Sequence, residues 1–221
     1  MPLPGFKHQY LVITPILGRE EIAEVRRLVQ RATPKQVRPL NQPSLDQTVT
    51  AFESLKTMVM AADGLLQHFA VNDLNEPVTT IAAAIDAMLA QLPTVVVEPP
   101  IVKEALLKRL ELAPVGIPNT GLAMIHTSSR GVSTPYIGAF DLKTAIPLAA
   151  MDMGTIQLQR ILLLLTPNPV PQETLTLLSA VSAKLVASPA DIQLFGKGHY
   201  SQLYQVMTEV FMHEIQKIDR R

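Results

Sequence analysis

The first half of the chain is dominated by apolar residues at helical spacing. Apolar residues three and four positions apart run through residues 45–69 and again through residues 77–92, and each run predicts an amphipathic helix. Ser44, with Gln47 three residues later, fits a capping box at the start of the first helix. The two helices are predicted to form a hairpin joined near residues 72–75. The hairpin serves either as a packing unit for the domain that follows or as a dimerising element.

The second half of the chain changes to the spacing of strands. A short helix is predicted at residues 102–112. Strands are then predicted at residues 122–127, 135–141, 146–152 and 156–165, followed by helices at 172–186, 189–195 and 200–217. Asp152-Met153-Gly154 is predicted as a hairpin turn between the last two strands. This order predicts an α/β sandwich, with a central mixed β-sheet flanked by helices and preceded by the helical hairpin.

The N-terminal segment reads as a fragment of a fold. Residues 10–16 are apolar and β-branched, the pattern of a buried strand, and residues 19–31 have apolar positions at helical spacing. One strand and one helix are too little for an independent domain. Residues 34–44 contain three prolines among polar residues and are predicted to be a linker.

Composition and charge exclude several classes of function. Lys plus Arg and Asp plus Glu both number 19, so the formal net charge is zero, whereas a nucleic-acid surface usually shows a basic excess. No direct nucleic-acid contact is therefore expected from this chain. The absence of cysteine excludes disulfides and thiolate metal sites, and the five histidines lack the spacing of a metal site. No metal and no cofactor are predicted.

No membrane segment is predicted either. The longest aliphatic run, residues 161–165, is far shorter than the roughly 20 residues that span a bilayer. The first ten residues lack the apolar core of a signal peptide. A cytoplasmic location is therefore expected.

Gly196-Lys197-Gly198 superficially resembles part of a phosphate-binding loop. The motif lacks the required order of glycine, lysine and serine or threonine, and it lies between two helical patterns rather than after a strand. It is therefore predicted to be a helix C-cap and turn.

His126 is the residue that the sequence marks for chemistry. It follows the apolar residues 122–125 and precedes the polar turn Thr127-Ser128-Ser129-Arg130. A neutral imidazole nitrogen is a competent nucleophile toward a phosphoryl group, and nearby donors and a cation would stabilise the transferred anion. Arg109 and Arg130 are the candidate cations. A strand-end histidine bonded to a neighbouring carbonyl would show the same pattern, so both interpretations stay open on the residues alone.

The stretch from Leu107 to Thr127 resembles the enzyme IIA family of the sugar phosphotransferase system, of mannitol and fructose type. Gly121, Leu122, Ala123 and His126 match the family's strand of the form G-I-A-x-P-H, whose histidine carries the phosphate. The resemblance implies that His126 accepts the phosphate. It also implies that Arg109, at or next to the position of the family's active-site arginine, stabilises the anion. The order of elements extends the resemblance over residues 100–217.

Two positions depart from the family pattern. Ile125 stands where the family usually has proline. The family's phosphocarriers also usually place a second histidine at the start of the helix after the last strand, and none is present here. Thr174 is the expected equivalent. A threonine hydroxyl donates a hydrogen bond but cannot share charge with a phosphoryl group, so fast two-way transfer is not expected.

Residues 116–127 also resemble the C-terminal IIA-like domain of mannitol operon transcription activators, in which a IIB-like domain comes first. Residues 10–22 resemble the last strand and helix of such a IIB-like domain. The resemblance implies a IIB remnant at 1–33, a linker at 34–44, the helical hairpin at 45–95 and a IIA-like domain at 96–221. The chain is then either a piece of a larger protein or the product of a truncated gene, with a DNA-binding domain elsewhere in the larger protein.

Three functions follow from the resemblance. The first is a regulatory phosphoacceptor domain of a transcription activator that responds to a sugar of mannitol type. The general phosphocarrier protein or a sugar-specific IIB domain would phosphorylate it on His126. The second is a working enzyme IIA that passes phosphate onward to a IIB domain. The third is a protein-interaction module that acts without phosphate. A homodimer is compatible with each.

Overall fold

The computed structural model describes residues 42–219, apart from the side chains of residues 42–49, 51 and 219. The IIB-like remnant predicted at residues 1–33 and residues 34–41 of the predicted linker lie outside the described residues, whereas residues 42–44 of that linker belong to the first helix. The chain divides into two compact units, Met1–Met60 and Ala61–Arg221.

Six helices and four strands follow one another along the described chain. The order is α1 (Gln42–Gln67), β1 (Val71–Leu74), α2 (Ile81–Ala90), α3 (Pro99–Leu112), β2 (Leu122–Ser128), β3 (Tyr136–Ala149), β4 (Thr155–Thr166), α4 (Gln172–Leu185), α5 (Pro189–Lys197) and α6 (Tyr200–Asp219). The helices predicted at 172–186, 189–195 and 200–217 are confirmed within two residues at each end. Gly198 is the C-cap of α5, as the sequence predicts, and its N–H donates to the carbonyl of Leu194.

The four strands form one mixed sheet in the order β1-β3-β4-β2. The central pair β3–β4 is antiparallel, and the two outer strands each add in parallel, β1 to β3 and β2 to β4. The predicted mixed α/β sheet flanked by helices is confirmed. The tight turn at Asp152 is also confirmed, because the Asp152 carboxylate accepts the N–H of Gly154 across it.

Two details of the sheet differ from the prediction. The strands predicted at 135–141 and 146–152 are one continuous strand, β3, in which the pairing with β4 shifts register between Asp141 and Ile146. The joint predicted near residues 72–75 coincides with β1, which pairs with Ala139–Leu142 of β3. Both errors arise because strand pairing between distant segments determines the structure where the local pattern is interrupted by polar residues.

Both faces of the sheet are buried. One face packs on α2 and α3, in a core cluster that includes Ile85, Met88, Val102 and Leu106 from the helices and Ala123, Ile125, Ile161 and Leu163 from the strands. On the other face, Leu122, Ile137, Leu162 and Leu164 are also buried. A Cβ atom added at Gly196 would come within 3.8 Å of Leu122, so α5 lies directly over that face. Helices α4, α5 and α6 pack on one another there.

Arg160 of β4 connects the sheet to the C-terminal helices. Its side chain is 7% exposed and forms a two-bond ion pair with Asp141 of β3, with nitrogen–oxygen distances of 2.5 and 2.7 Å. Its remaining terminal nitrogen donates to the carbonyls of Phe195 and Gly198 at the end of α5. A buried guanidinium is therefore satisfied by one carboxylate and two carbonyls, which fixes the α5–α6 corner against the sheet.

Among the described residues, Tyr136 has a buried side-chain oxygen that forms no hydrogen bond. Its ring is buried in the core cluster, and its hydroxyl has no hydrogen-bond partner there. The hydroxyl lies over Gly138, where an added Cβ atom would come within 2.1 Å of the phenolic oxygen. Burial raises the pKa of Tyr136 well above its ordinary value, so the ring stays neutral. Gly138 is thus required by the close approach of this ring.

Among the described helices, none alone is long and apolar enough to cross a membrane. Helices α4 and α5 together have the length and apolar composition of a membrane span, but the pair is bent by 109° at the break between them.

Removal of Asp141 tests the importance of the Arg160 pair. In Asp141→Ala the buried guanidinium loses its carboxylate. We expect the free energy of unfolding to fall by about 2 to 3 kcal/mol in urea denaturation, below the fully buried limit since the Asp141 side chain is 33% exposed. Asp86→Ala is the matched control, because Asp86 forms a more exposed ion pair with Lys103 and should lose at most about 1 kcal/mol. Equal losses in the two variants would contradict the assigned role of Arg160.

Candidate functional site

His126 lies near the carboxyl end of β2, at one edge of the sheet. Strand β2 is the last in the sheet order, and His126 is aligned with Leu164 of β4. Its neighbours Ile125 and Ala123 point to the core beneath α2 and α3, so alternation along the strand places His126 on the opposite face. The His126 side chain is exposed there. The histidine is therefore fixed by a buried strand and accessible to a partner.

Arg109 lies close enough to His126 to act on its charge. It stands in the last turn of α3, which packs against β2. Partial burial lowers the pKa of His126 below its ordinary value of 6.5, and the positive charge of Arg109 lowers it further. The imidazole is consequently neutral at pH 7, the form in which a ring nitrogen has a lone pair available for attack. The charge of Arg109 therefore reaches the imidazole, and its role in holding an anion there stays a prediction.

The turn after His126 is held by its own hydroxyls. The Ser128 hydroxyl donates to the carbonyl of Pro167, and the buried Ser129 hydroxyl accepts the N–H of Gly131. The N–H of Ser129 also donates to the carbonyl of Thr166. These bonds fix the strand end beside the loop after β4. Both serines therefore act first as supports of the turn, while Thr127 is half-buried in the strand and Arg130 is exposed in the turn.

Thr174, predicted to replace the second histidine, lies in the first turn of α4. Its side chain is only 2% exposed, whereas the neighbouring Gln172 is exposed. Helix α4 belongs to the layer on the face of the sheet that carries His126. A histidine in place of Thr174 would have to be accommodated in a tightly enclosed position. The equivalence with the family's second histidine stays a prediction.

Two exposed apolar side chains near these positions were not singled out from the sequence. Leu112, one turn after Arg109, is 74% exposed, and Leu175, next to Thr174, is 49% exposed. Each leucine lies off the buried face of its helix. An apolar residue outside the helical pattern was therefore the feature of the sequence that could have identified them. Exposed leucines at both helix ends provide apolar contact area for a protein partner.

No set of three or more His, Asp or Glu side chains within residues 42–219 is arranged to hold a metal ion. The chemistry that the site offers is accordingly that of the imidazole and the guanidinium. A neutral nucleophile next to a fixed cation is suited to receive an anionic group.

The structure defines a class of protein. It is an α/β domain built on a mixed sheet, with a histidine on the edge strand and an arginine whose charge reaches that histidine. Residues 67–210 match the family described as phosphoenolpyruvate-dependent sugar phosphotransferase system, EIIA 2. The match includes β1 and α2 and covers well over half of the chain. The chain therefore belongs to this family.

The chain is also similar to a protein named as a transcriptional regulator. The chain is 25% identical over 177 residues to a Streptococcus mutans serotype c protein named "Putative transcriptional regulator MtlR". The match covers 79% of this chain but 26% of that protein, so the chain spans about a quarter of its relative's length.

Solved structures of IIA proteins were compared with the fold, and one has a TM-score above 0.5. The nitrogen regulatory protein IIA-Ntr of Neisseria meningitidis superposes with a TM-score of 0.51 at 20% identity, over 67% of this chain and 99% of that one. The complex of mannitol enzyme IIA with phosphorylated enzyme IIB from Escherichia coli gives a TM-score of 0.45 at 12% identity, over 64% and 99% of the two chains. At 20% identity, the match to the Neisseria protein bears on the fold alone.

Replacement of Arg109 should change the titration of His126. In Arg109→Gln the repelling charge is removed, so we expect the pKa of His126 to rise toward 6.5 without reaching it, because the partial burial remains. The midpoint is measured by NMR from the pH dependence of the His126 ring protons, assigned with His126→Ala.

Arg130→Gln is the matched control. It removes the same charge from the turn after His126, and Arg130 is not among the causes of the shift. An unchanged His126 midpoint in Arg109→Gln, or an equal rise in Arg130→Gln, would exclude Arg109 as the cation that faces the imidazole.

Proposed function

We propose that the chain is a regulatory phosphoacceptor domain, in which His126 receives a phosphoryl group from proteins of the sugar phosphotransferase system. The observation that carries the proposal is an exposed imidazole near the end of a buried strand, in a chain of the EIIA family, within reach of the charge of Arg109. Membership of the EIIA family gives the class of donor, a phosphorylated histidine or cysteine of the general phosphocarrier or of a IIB domain. A cytoplasmic location follows from such donors.

In the transfer from a phosphohistidine donor, the bonds, electrons and protons balance without a cofactor. A lone pair on a ring nitrogen of His126 attacks phosphorus, and the bond between phosphorus and the donor's nitrogen breaks with its electron pair going to the donor. The donor imidazole takes up a proton, and the His126 ring releases one from its other nitrogen. Arg109, which together with burial disfavours a proton on the imidazole, would then attract the phosphoryl oxygens.

Phosphorylation would act by changing a docking surface. The added phosphate carries roughly −1.5 to −2 charges at pH 7, by analogy with phosphorylated hydroxyls. The charge would appear at the carboxyl ends of β2 and β4, from which the chain leads into α4 with its exposed Leu175. A partner that docks on Leu175 would gain or lose affinity with the phosphorylation state. The similarity to an MtlR-type regulator supports a role in transcriptional control by a sugar of mannitol type, with DNA binding in another part of a longer protein.

A second candidate is a working enzyme IIA that passes the phosphate onward to a sugar-specific IIB domain. The family and the solved IIA folds are compatible with it. The threonine at position 174 is the observation against it, since a buried hydroxyl cannot share the charge of the phosphoryl group as a second imidazole would. A phosphate-independent interaction module is the third candidate, in which His126 would be unreactive.

The identity of the acceptor can be measured directly. With phosphoenolpyruvate and the general phosphotransferase proteins, we expect the mass of the chain to increase by one phosphate. The label should be acid-labile and alkali-stable, and His126→Ala should abolish it. His213→Ala is the control, because His213 is exposed on α6 and should leave labelling unchanged. Labelling that survives in His126→Ala would refute the assignment, and no labelling of the native chain would favour the interaction module.

Onward transfer separates the regulator from the carrier. We expect the purified phosphorylated chain to keep its phosphate and to donate it to a IIB domain at least about 100-fold more slowly than an ordinary enzyme IIA, the scale of losing one positioned proton-sharing group. Transfer at the ordinary rate would overturn the regulatory proposal.

Thr174→His provides the sharper comparison, with Thr174→Val as the control for the loss of the hydroxyl alone. If a missing imidazole is the cause, the histidine variant should transfer faster and the valine variant should not. Because Thr174 is enclosed, both variants must first retain the native thermal transition. If a folded Thr174→His variant is no faster, position 174 is not the equivalent of the second histidine.

A further inference from the structure

An open groove lies at the other end of β2 from His126. It is formed by the turn before β2, the first half of β4 and helix α5, and its volume is about 720 Å³. His126 and Arg109 are not among its lining residues. His126 is five residues along the strand from Gly121 in the groove, which corresponds to roughly 16 Å at strand spacing. The groove is thus a separate feature of the fold.

The sequence of β4 explains why the floor of the groove is polar. Thr155, Gln157 and Gln159 are exposed, and Ile156 and Leu158 alternate with them into the core cluster. The N–H groups of both Gln159 and Arg160 donate to the carbonyl of Gly121, at 2.7 and 2.9 Å, which is a β-bulge. The bulge allows Gln159 to line the groove while its neighbour Arg160 reaches the end of α5.

Glycine at position 121 keeps the floor open. A Cβ atom there would come within 3.0 Å of the Gln159 side-chain oxygen and 3.2 Å of the Gln157 carbonyl. A larger residue would therefore push the Gln159 amide aside and narrow the groove.

The polar side chains of the groove are not used by the protein. Those of Asn119, Gln157, Gln159, Gln193 and Lys197 make no hydrogen bond or ion pair with any described residue. Thr120 is different, since its hydroxyl donates to the carbonyl of Ile117 and accepts the N–H of Leu122. The lining contains no carboxylate and no aromatic ring. Four unpaired carboxamides and one unpaired ammonium group thus border one cavity.

We propose that this groove binds a small polyol phosphate, a hydroxyl-rich molecule with one phosphate group. A carboxamide offers a donor and an acceptor, the combination that adjacent hydroxyl groups require. The ammonium group of Lys197 supplies the charge for the phosphate, and no carboxylate is present to repel it. The volume lies in the range of small-molecule sites. The proposal does not depend on the phosphorylation of His126.

Calorimetric titration of the complete chain tests the proposal. The probes are glucitol 6-phosphate and glucose 6-phosphate, with glucitol and inorganic phosphate as the two halves of the ligand. We expect saturable binding of at least one phosphate ester with Kd below about 1 mM, and at least about tenfold weaker binding of each half, a difference of 1.4 kcal/mol. Absence of saturable binding by both esters, or binding of either half as tightly as the ester, would overturn the proposal.

Variants locate the binding in the groove. Gln157→Ala and Lys197→Gln change exposed side chains, and each should weaken the ester by at least about tenfold, with Lys197→Gln also removing the preference for the ester over the free polyol. Lys143→Gln is the matched control, because Lys143 is an exposed lysine of β3 outside the groove. His126→Ala should bind normally, so a failure at His126 and a failure here remain distinguishable. Unchanged affinity in both groove variants would refute the site.

Discussion

A positive charge cannot lie inside a protein without partners, and the burial of Arg160 places that constraint on three parts of the fold at once. Its carboxylate comes from β3, its own backbone belongs to β4, and its carbonyl partners lie at the end of α5. The charge is satisfied only when the register of the central hairpin and the position of the α5–α6 corner are both correct. A single side chain therefore couples the pairing of the sheet to the packing of the helical layer above it.

The same coupling positions the site around His126. The edge strand β2 is aligned on β4, whose register Arg160 helps to fix, and α3 brings Arg109 from the layer beneath the sheet. Residues 109, 126 and 174 are far apart in the chain and belong to three different elements. In our proposal Arg109 has two successive effects, first to add to the effect of burial in keeping the imidazole unprotonated and then to attract the anion formed on it. One charge can serve both steps because the group within its range changes from neutral to anionic.

The pattern of apolar residues was sufficient to predict an element wherever one face of that element is continuously buried. Strands β2 and β4 and the three C-terminal helices were predicted on that basis. Strand β1 was missed because Val71–Leu74 includes Asn72 and Asp73, and only its pairing with β3 makes it a strand. The continuity of β3 was missed because polar residues interrupt its pattern where the register shifts.

The components of the site were predictable to different degrees. His126 stood out as a polar residue at the end of an apolar strand. Its pairing with Arg109 came from the family resemblance, since no spacing in the sequence shows that α3 lies against β2. The groove could not be predicted, because its walls come from segments about thirty residues apart in the chain and its unpaired amides are recognised only once the helices are placed. The predicted domain boundaries and the role of Thr174 stay predictions.

The topology of the sheet also implies an order of events when the chain folds. Strands β3 and β4 are consecutive and antiparallel, so their hairpin can close over a short loop. Strand β2 precedes β3 in the chain yet pairs with β4 in parallel, so the alignment of Leu122 with Arg160 closes a longer loop than the hairpin does. The histidine strand is therefore expected to dock later than the hairpin forms. In our proposal, the capacity to accept phosphate would then mark molecules that have completed folding.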